Sequence, residues 1–134
     1  MGNSECKFCT IIKNKENLLY EDDHIVIFND IYPAAQVHLQ TVPKKHIKNI
    51  NHLNKGDLDL LKYMKQKTME YLVINFGEDP NYELGFHIPP FNSIPHLHMH
   101  SIKPPFIIGS FHKFIKNQIF RSYDVVEKTL EDKI

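Results

Sequence analysis

Apolar residues recur at every second position in several short stretches of this chain, and at every third or fourth position in one long stretch. Leu18–Tyr20 and His24–Phe28 read as strands, separated by the acidic turn Glu21, Asp22, Asp23. Asn29 to Pro33 breaks the alternation and makes a loop, after which Gln36–Val42 alternates as a third strand ending at Pro43. From Asp57, placed as an N-cap, to about Phe76, the residues Leu61, Met64, Thr68 and Leu72 fall on one helical face, and Gly77 is a stop signal. Tyr82–Ile88 predicts a fourth strand before Pro89 and Pro90. Pro95 precedes a fifth, His96–Ile102, which Pro104 and Pro105 should end. Shorter helical signals lie at Cys9–Lys13, Ser110–Asn117 and Asp124–Lys133. Consecutive strands with short connections around one long helix predict an α+β fold with an antiparallel meander sheet, not a βαβ arrangement.

At 134 residues, the whole of 1–134 is expected to form one domain around one core. Sixteen basic residues balance sixteen acidic ones, so no global field draws the chain to nucleic acid or membrane; recognition must be local. No apolar run has the length of a membrane span, and the N-terminus lacks a secretory pattern. Cys6 stands where a myristoylation motif needs Ser or Thr. The only cysteines, Cys6 and Cys9, are spaced Cys-x-x-Cys, which in such a chain points to metal or redox chemistry in cytoplasm or nucleus rather than to a structural disulfide. No glycine-rich phosphate loop is present.

Candidate chemistry centres on the histidines, nine in all, with His87, His96, His98 and His100 close together in sequence. In a strand, residues two apart share a face, so His96, His98 and His100 should project in a row, about 6.5–7 Å apart. Leu97 and Met99 would then bury the other face against the helix. Three imidazoles on one face offer a nucleophile, hydrogen-bond donors for phosphate oxygens and proton carriers near neutral pH. The competing readings are partly exposed histidines on an edge strand, or a three-histidine metal site, which lacks an adjacent carboxylate. His24, His52 and His112 stand outside any motif and read as surface residues, while His87 reads either as a pocket wall or as a packed side chain.

The pattern His96-Leu97-His98-Met99-His100 resembles the motif of the histidine triad superfamily. Its Hint branch is resembled further by Asn29 to Ala35, by His38, by Val42 to Ile47 and by Gly85 to Ile94. This resemblance runs from Cys6 to at least Ile102. It implies a five-stranded antiparallel sheet with two main helices, and a homodimer with a continuous ten-stranded sheet. The implied activity is hydrolysis of purine nucleoside 5'-monophosphates joined through phosphorus to an amine or acyl group. His98 would be the nucleophile that becomes adenylylated and His100 would contact phosphate. His96 and His38 would complete the catalytic set. Asp30 and Ile31 would hold ribose and base, with Ser93 and Met99 also at the nucleotide. Asp30 has a second reading as a turn-capping residue before Pro33.

The same resemblance joins Cys6 and Cys9 to His46 and His96 as ligands of a structural zinc with no open position; a redox pair is the alternative. Two departures from the family pattern bear on the leaving-group pocket: Ser101 follows the third histidine, and Pro89 to Asn92 replace a glycine-rich approach. Two rival functions remain: a nucleotide-binding scaffold, and an aprataxin-like remover of adenylate from DNA ends. The second is disfavoured by the absence of cysteine after Cys9 and of net positive charge.

Overall fold

Six strands and three helices account for the alternation, in a computed structural model that describes residues 6–92, 94–107, 109, 111–114 (backbone alone at 111 and 112) and 118–133. In chain order these are α1 (Lys7–Asn14), β1 (Leu18–Glu21), β2 (Ile25–Asn29), β3 (Ala35–Pro43), α2 (Leu58–Phe76), β4 (Glu83–His87), β5 (Met99–Phe106), β6 (Phe120–Ser122) and α3 (Tyr123–Glu131). Single 3-10 turns lie at Ile50–His52, Lys55–Asp57 and Phe111–Phe114. The sheet is antiparallel throughout, in the order β1-β2-β3-β5-β4-β6. The chain therefore leaves β3, crosses through α2, and inserts β5 between β3 and β4. No helix among the described residues is long and apolar enough to cross a membrane.

Three expectations are corrected. The sheet has a sixth strand, Phe120–Ser122, because three residues are too few for alternation to announce it. The strand expected over His96–Ile102 starts only at Met99: His96 N–H bonds to Ile94 O and Leu97 N–H to Ile47 O, outside the ladder. Pro104 and Pro105 do not end that strand. β4 reaches only as far as Ile102, so the far end of β5 is bonded on one side alone, where proline's missing N–H costs no ladder bond. Asp57 occupies the N-cap position of α2, but its carboxylate turns back to the Asn54 N–H (3.0 Å) and the Lys45 ammonium (2.7 Å).

Each face of the sheet has its own cover. Leu61, Met64 and Leu72 of α2, with Val126 and Leu130 of α3, pack on Ile25, Ile27, Leu39, Leu97 and Met99. Thr68 sits among them, bonded through its hydroxyl to that of Thr41 on β3. On the opposite face, one cluster joins Phe8 of α1 to Val26, Phe28 and Val42, and another joins Phe114 and Phe120 to Ala34, Ala35 and Ile102. The histidines occupy the gap between those two clusters.

Candidate active site

Strand alternation decides which side each triad residue faces. Leu97 and Met99 go into the α2-side core, and His98 and His100 take the other side, where both line a cavity of about 720 Å³. That volume is ample for a nucleotide. Phe8, Ile11, Phe28 and Ile94, which pack together, line one part of it, Phe114 beside His38 and His100 lines another, and Phe91 and His98 also face it. Among the described residues the charged ones in the lining are Lys7, Glu16, Asp30 and Lys113.

His98 is nearly buried, and its Nδ1 lies 2.7 Å from the carbonyl oxygen of His96. A carbonyl only accepts, so Nδ1 carries the proton and the lone pair is left on Nε2. Among the described residues Nε2 has no hydrogen-bond partner. The edge-on ring of Phe8 (centroids 5.0 Å apart) holds the imidazole in place. Burial lowers the pKa of His98 to about 4, outweighing the bond to His96 O, so near neutral pH the ring is uncharged.

Around His98 the other imidazoles are bonded to one another. His38 Nδ1 accepts from the Ala34 N–H (2.9 Å), and its Nε2 is 2.8 Å from His100 Nδ1. His100 Nε2 is 3.1 Å from His87 Nδ1, and His87 Nε2 donates to Lys113 O (2.8 Å). Burial lowers the pKa of His38 against the opposing pull of Asp30, lowers that of His87, and drives that of His100 well down. Asp30 makes the expected turn, its Oδ1 accepting from Tyr32 N–H (2.8 Å). Oδ2 accepts from Gln40 Nε2 (2.6 Å) and lies 3.3 Å from His38 Nε2 at the cavity.

The expected row of three is split. His96 is fully buried and does not line the cavity; its Nε2 donates to Pro43 O (2.8 Å), leaving the Nδ1 lone pair directed elsewhere. That Nδ1 lies 3.3 Å from Cys6 Sγ, 3.4 Å from Cys9 Sγ and 3.1 Å from His46 Nδ1, with Cys9 Sγ and His46 Nδ1 3.4 Å apart. These four donor atoms, all within 4.8 Å of one another, could hold a metal ion. Cys6 caps α1 through the Cys9 N–H, so the cluster ties the start of α1 to the approach to β5.

Of the other expected residues, Ile31 lines the cavity, while the Met99 side chain is buried in the α2-side core. Ser93 lies outside the described residues. Ser101 is buried and does not line the cavity, whereas Phe91 of the Pro89 to Asn92 stretch does. His24 and His52 are exposed as expected; the side chain of His112 is outside the described residues. Gln40, Lys113 and Phe114 were not anticipated. Gln40 was the most legible, since alternation from His38 puts both on one face of β3. His87 is pocket wall and packed side chain at once.

Residues 5–114 match the family model described as scavenger mRNA decapping enzyme C-term binding. The chain is similar to adenosine 5'-monophosphoramidase HINT3 of Xenopus tropicalis, 39% identical over 120 residues, covering 87% of this chain and 76% of that one. It is also similar to the bifunctional adenosine 5'-phosphosulfate phosphorylase/adenylylsulfatase HINT4 of Arabidopsis thaliana, 38% identical over 109 residues, covering 78% and 74%. Among solved structures, a HIT family hydrolase from Legionella pneumophila Philadelphia 1 shares the fold with a TM-score of 0.71. It is 30% identical, covering 75% of this chain and 94% of that one.

Proposed function

The chain belongs to the histidine triad superfamily, and from that premise we propose that it hydrolyses adenosine 5'-monophosphoramidates through a covalent adenylate on His98. The observation that carries this reading is the arrangement of His98: Nδ1–H committed to a carbonyl, and Nε2 without a partner among the described residues at the cavity. Nε2 attacks the α-phosphorus, the P–N bond to the amine breaks, and the amine leaves after taking a proton from water. A second water then attacks phosphorus, giving its proton to the hydroxide left by the first, so that the His98–P bond breaks, the electron pair returns to Nε2 and AMP is released. The ring gains positive charge on attack, and the His96 carbonyl at Nδ1 stabilises it. Asp30 and Ile31 at the cavity serve the nucleoside.

Replacing His98 with Asn removes the attacking nitrogen while keeping a polar side chain. Turnover of a fluorogenic adenosine phosphoramidate should fall by roughly three orders of magnitude or more, with AMP still bound. Mass spectrometry of quenched wild-type protein should find AMP on His98. Near wild-type turnover by His98→Asn, or an adduct mapped elsewhere, refutes the mechanism.

The proposal includes a structural zinc held by Cys6, Cys9, His46 and His96. A tetrahedral zinc with bonds of about 2.3 Å to sulfur and about 2.0 Å to nitrogen has S–N edges near 3.5 Å and N–N edges near 3.3 Å. The measured 3.3–3.4 Å and 3.1 Å separations fit that polyhedron. The His96 Nε2–H bond to Pro43 O is the usual outer support of a ligating imidazole. Such an ion would supply structure only, holding the residue whose carbonyl orients His98. The proposal also includes a homodimer, supported by the apolar Val73, Ile74 and Phe76 exposed at the end of α2. A monomeric mass at micromolar concentration would remove it.

A further inference from the structure

The hydrogen bonds from Ala34 through His38, His100 and His87 to Lys113 form one unbroken chain, and both of its ends are backbone groups. An amide N–H can only donate, so His38 Nδ1 must accept and, in the neutral ring, its proton sits on Nε2. At the other end a carbonyl can only accept, so His87 Nε2 must carry the proton and Nδ1 the lone pair. Between them, His100 receives a proton from His38 at Nδ1 and faces a lone pair of His87 at Nε2. A single tautomer, protonated at Nε2, satisfies both contacts.

We infer that His87 is a positioning residue that locks the Nε2–H of His100 in place and so keeps it from the lone pair of His98. The rings of His98 and His100 lie with centroids 5.0 Å apart, edge to face, close enough for a released His100 N–H to turn toward His98 Nε2. With both His100 nitrogens engaged, none is free to do so. His100 therefore enters the resting site as a link in this chain. Phe114 and Phe120, packed on the His87 ring, hold it in register.

Only the kinetic arm of the test rests on the phosphoramidase reading; the spectroscopic arm needs no turnover. Long-range proton–nitrogen correlation spectra of the full-length protein, assigned with single histidine variants, report the protonated nitrogen of each ring. Wild type should show His100 and His87 protonated at Nε2 alone. His87→Phe keeps the aromatic packing and removes the acceptor, so the released His100 Nε2–H should turn to His98 Nε2 and move that nitrogen's resonance into the hydrogen-bonded range. kcat on the phosphoramidate should fall about tenfold while KM stays within about twofold, the loss of one buried hydrogen bond acting through another residue. His87→Asn places an amide oxygen near the former Nδ1 and should restore both the wild-type His98 Nε2 resonance and most of kcat. The inference is overturned if wild-type His100 is protonated at Nδ1. It is also overturned if a metal held by His87, His98 and His100, which their clustered nitrogens would allow, displaces the proton between His100 and His87. An unchanged His98 Nε2 resonance and kcat in His87→Phe, or failure of Asn to rescue where Phe is defective, would overturn it equally. If the wild type shows the expected tautomers but no turnover, the phosphoramidase reading fails and the lock stands.

Discussion

Replacing Gly85 with Ala should couple the sheet's edge to the catalytic cavity. Gly85 lies on β4 between its partners His100 on β5 and Ser122 on β6. A methyl group built there would run into the backbone carbonyl oxygen of Arg121 on β6 and come 2.6 Å from Cζ and 2.7 Å from Cε2 of Phe120. Carbon atoms in good contact are about 3.5–4.0 Å apart, so ring or strand must give by roughly 1 Å. The ring has little room: Phe120 is buried, with Phe114 at 5.1 Å, His87 at 5.7 Å and His100 at 6.2 Å between centroids. The alternative is to lift β6 and its pairing with β4. Overpacking of this kind costs about 1–3 kcal/mol, and the upper half of that range applies because neither route is free. In urea, with a slope of about 1.5 kcal/mol per molar, the midpoint should fall by roughly 1–2 M. Turnover should fall with it, since Phe120 braces His87 and His100. Adding Phe120→Leu should recover part of the lost midpoint. A midpoint within about 0.3 M of wild type would mean that the β4–β6 packing is not as described.

The Thr68→Val change should cost about 1–3 kcal/mol by leaving the Thr41 hydroxyl buried without a partner, and the double change with Thr41→Val should recover most of it; additive losses in a denaturant cycle would refute the pairing. Partial burial would raise the pKa of Asp22, but bonds from Tyr63, the His24 and Ile25 N–H groups and Tyr20 outweigh it and lower the value to about 2. A folded-state pKa below the unfolded one gives stability above pH ~4 that is lost as pH falls toward ~2. The stability gap between wild type and Asp22→Asn, about 1 kcal/mol at pH 6 after allowance for solvent screening, should therefore close on acidification, and a pH-independent gap would sink the argument. Protein purified without chelator should carry about one zinc per chain, lost in a Cys6→Ser, Cys9→Ser variant and on chelation with a lowered Tm; metal-free wild-type protein with unchanged Tm refutes that site.

Periodicity alone disclosed much of this protein. The face of α2 was legible because Leu61, Met64, Thr68 and Leu72 keep helical spacing, and all four are buried as expected. Alternation also separated Leu97 and Met99 from His98 and His100, since in extended chain the side of each residue follows from its parity. What parity leaves open is which neighbours meet on that side. His38 and His100 are 62 positions apart, Cys6 and His96 are 90 apart, and both contacts depend on how the chain crosses over. Insertion of β5 between β3 and β4 puts His100 between His38 and His87. The turn of chain before Met99 sends His96 to the cysteines instead of into the row. β6 was invisible because three residues carry no period, and with it went the support of Phe120 for the histidines. Local pattern specifies the side of the sheet that a residue faces, because it is fixed by backbone geometry within a few residues. Tertiary structure alone assigns the partner on that side, because the partner arrives along a separate stretch of chain.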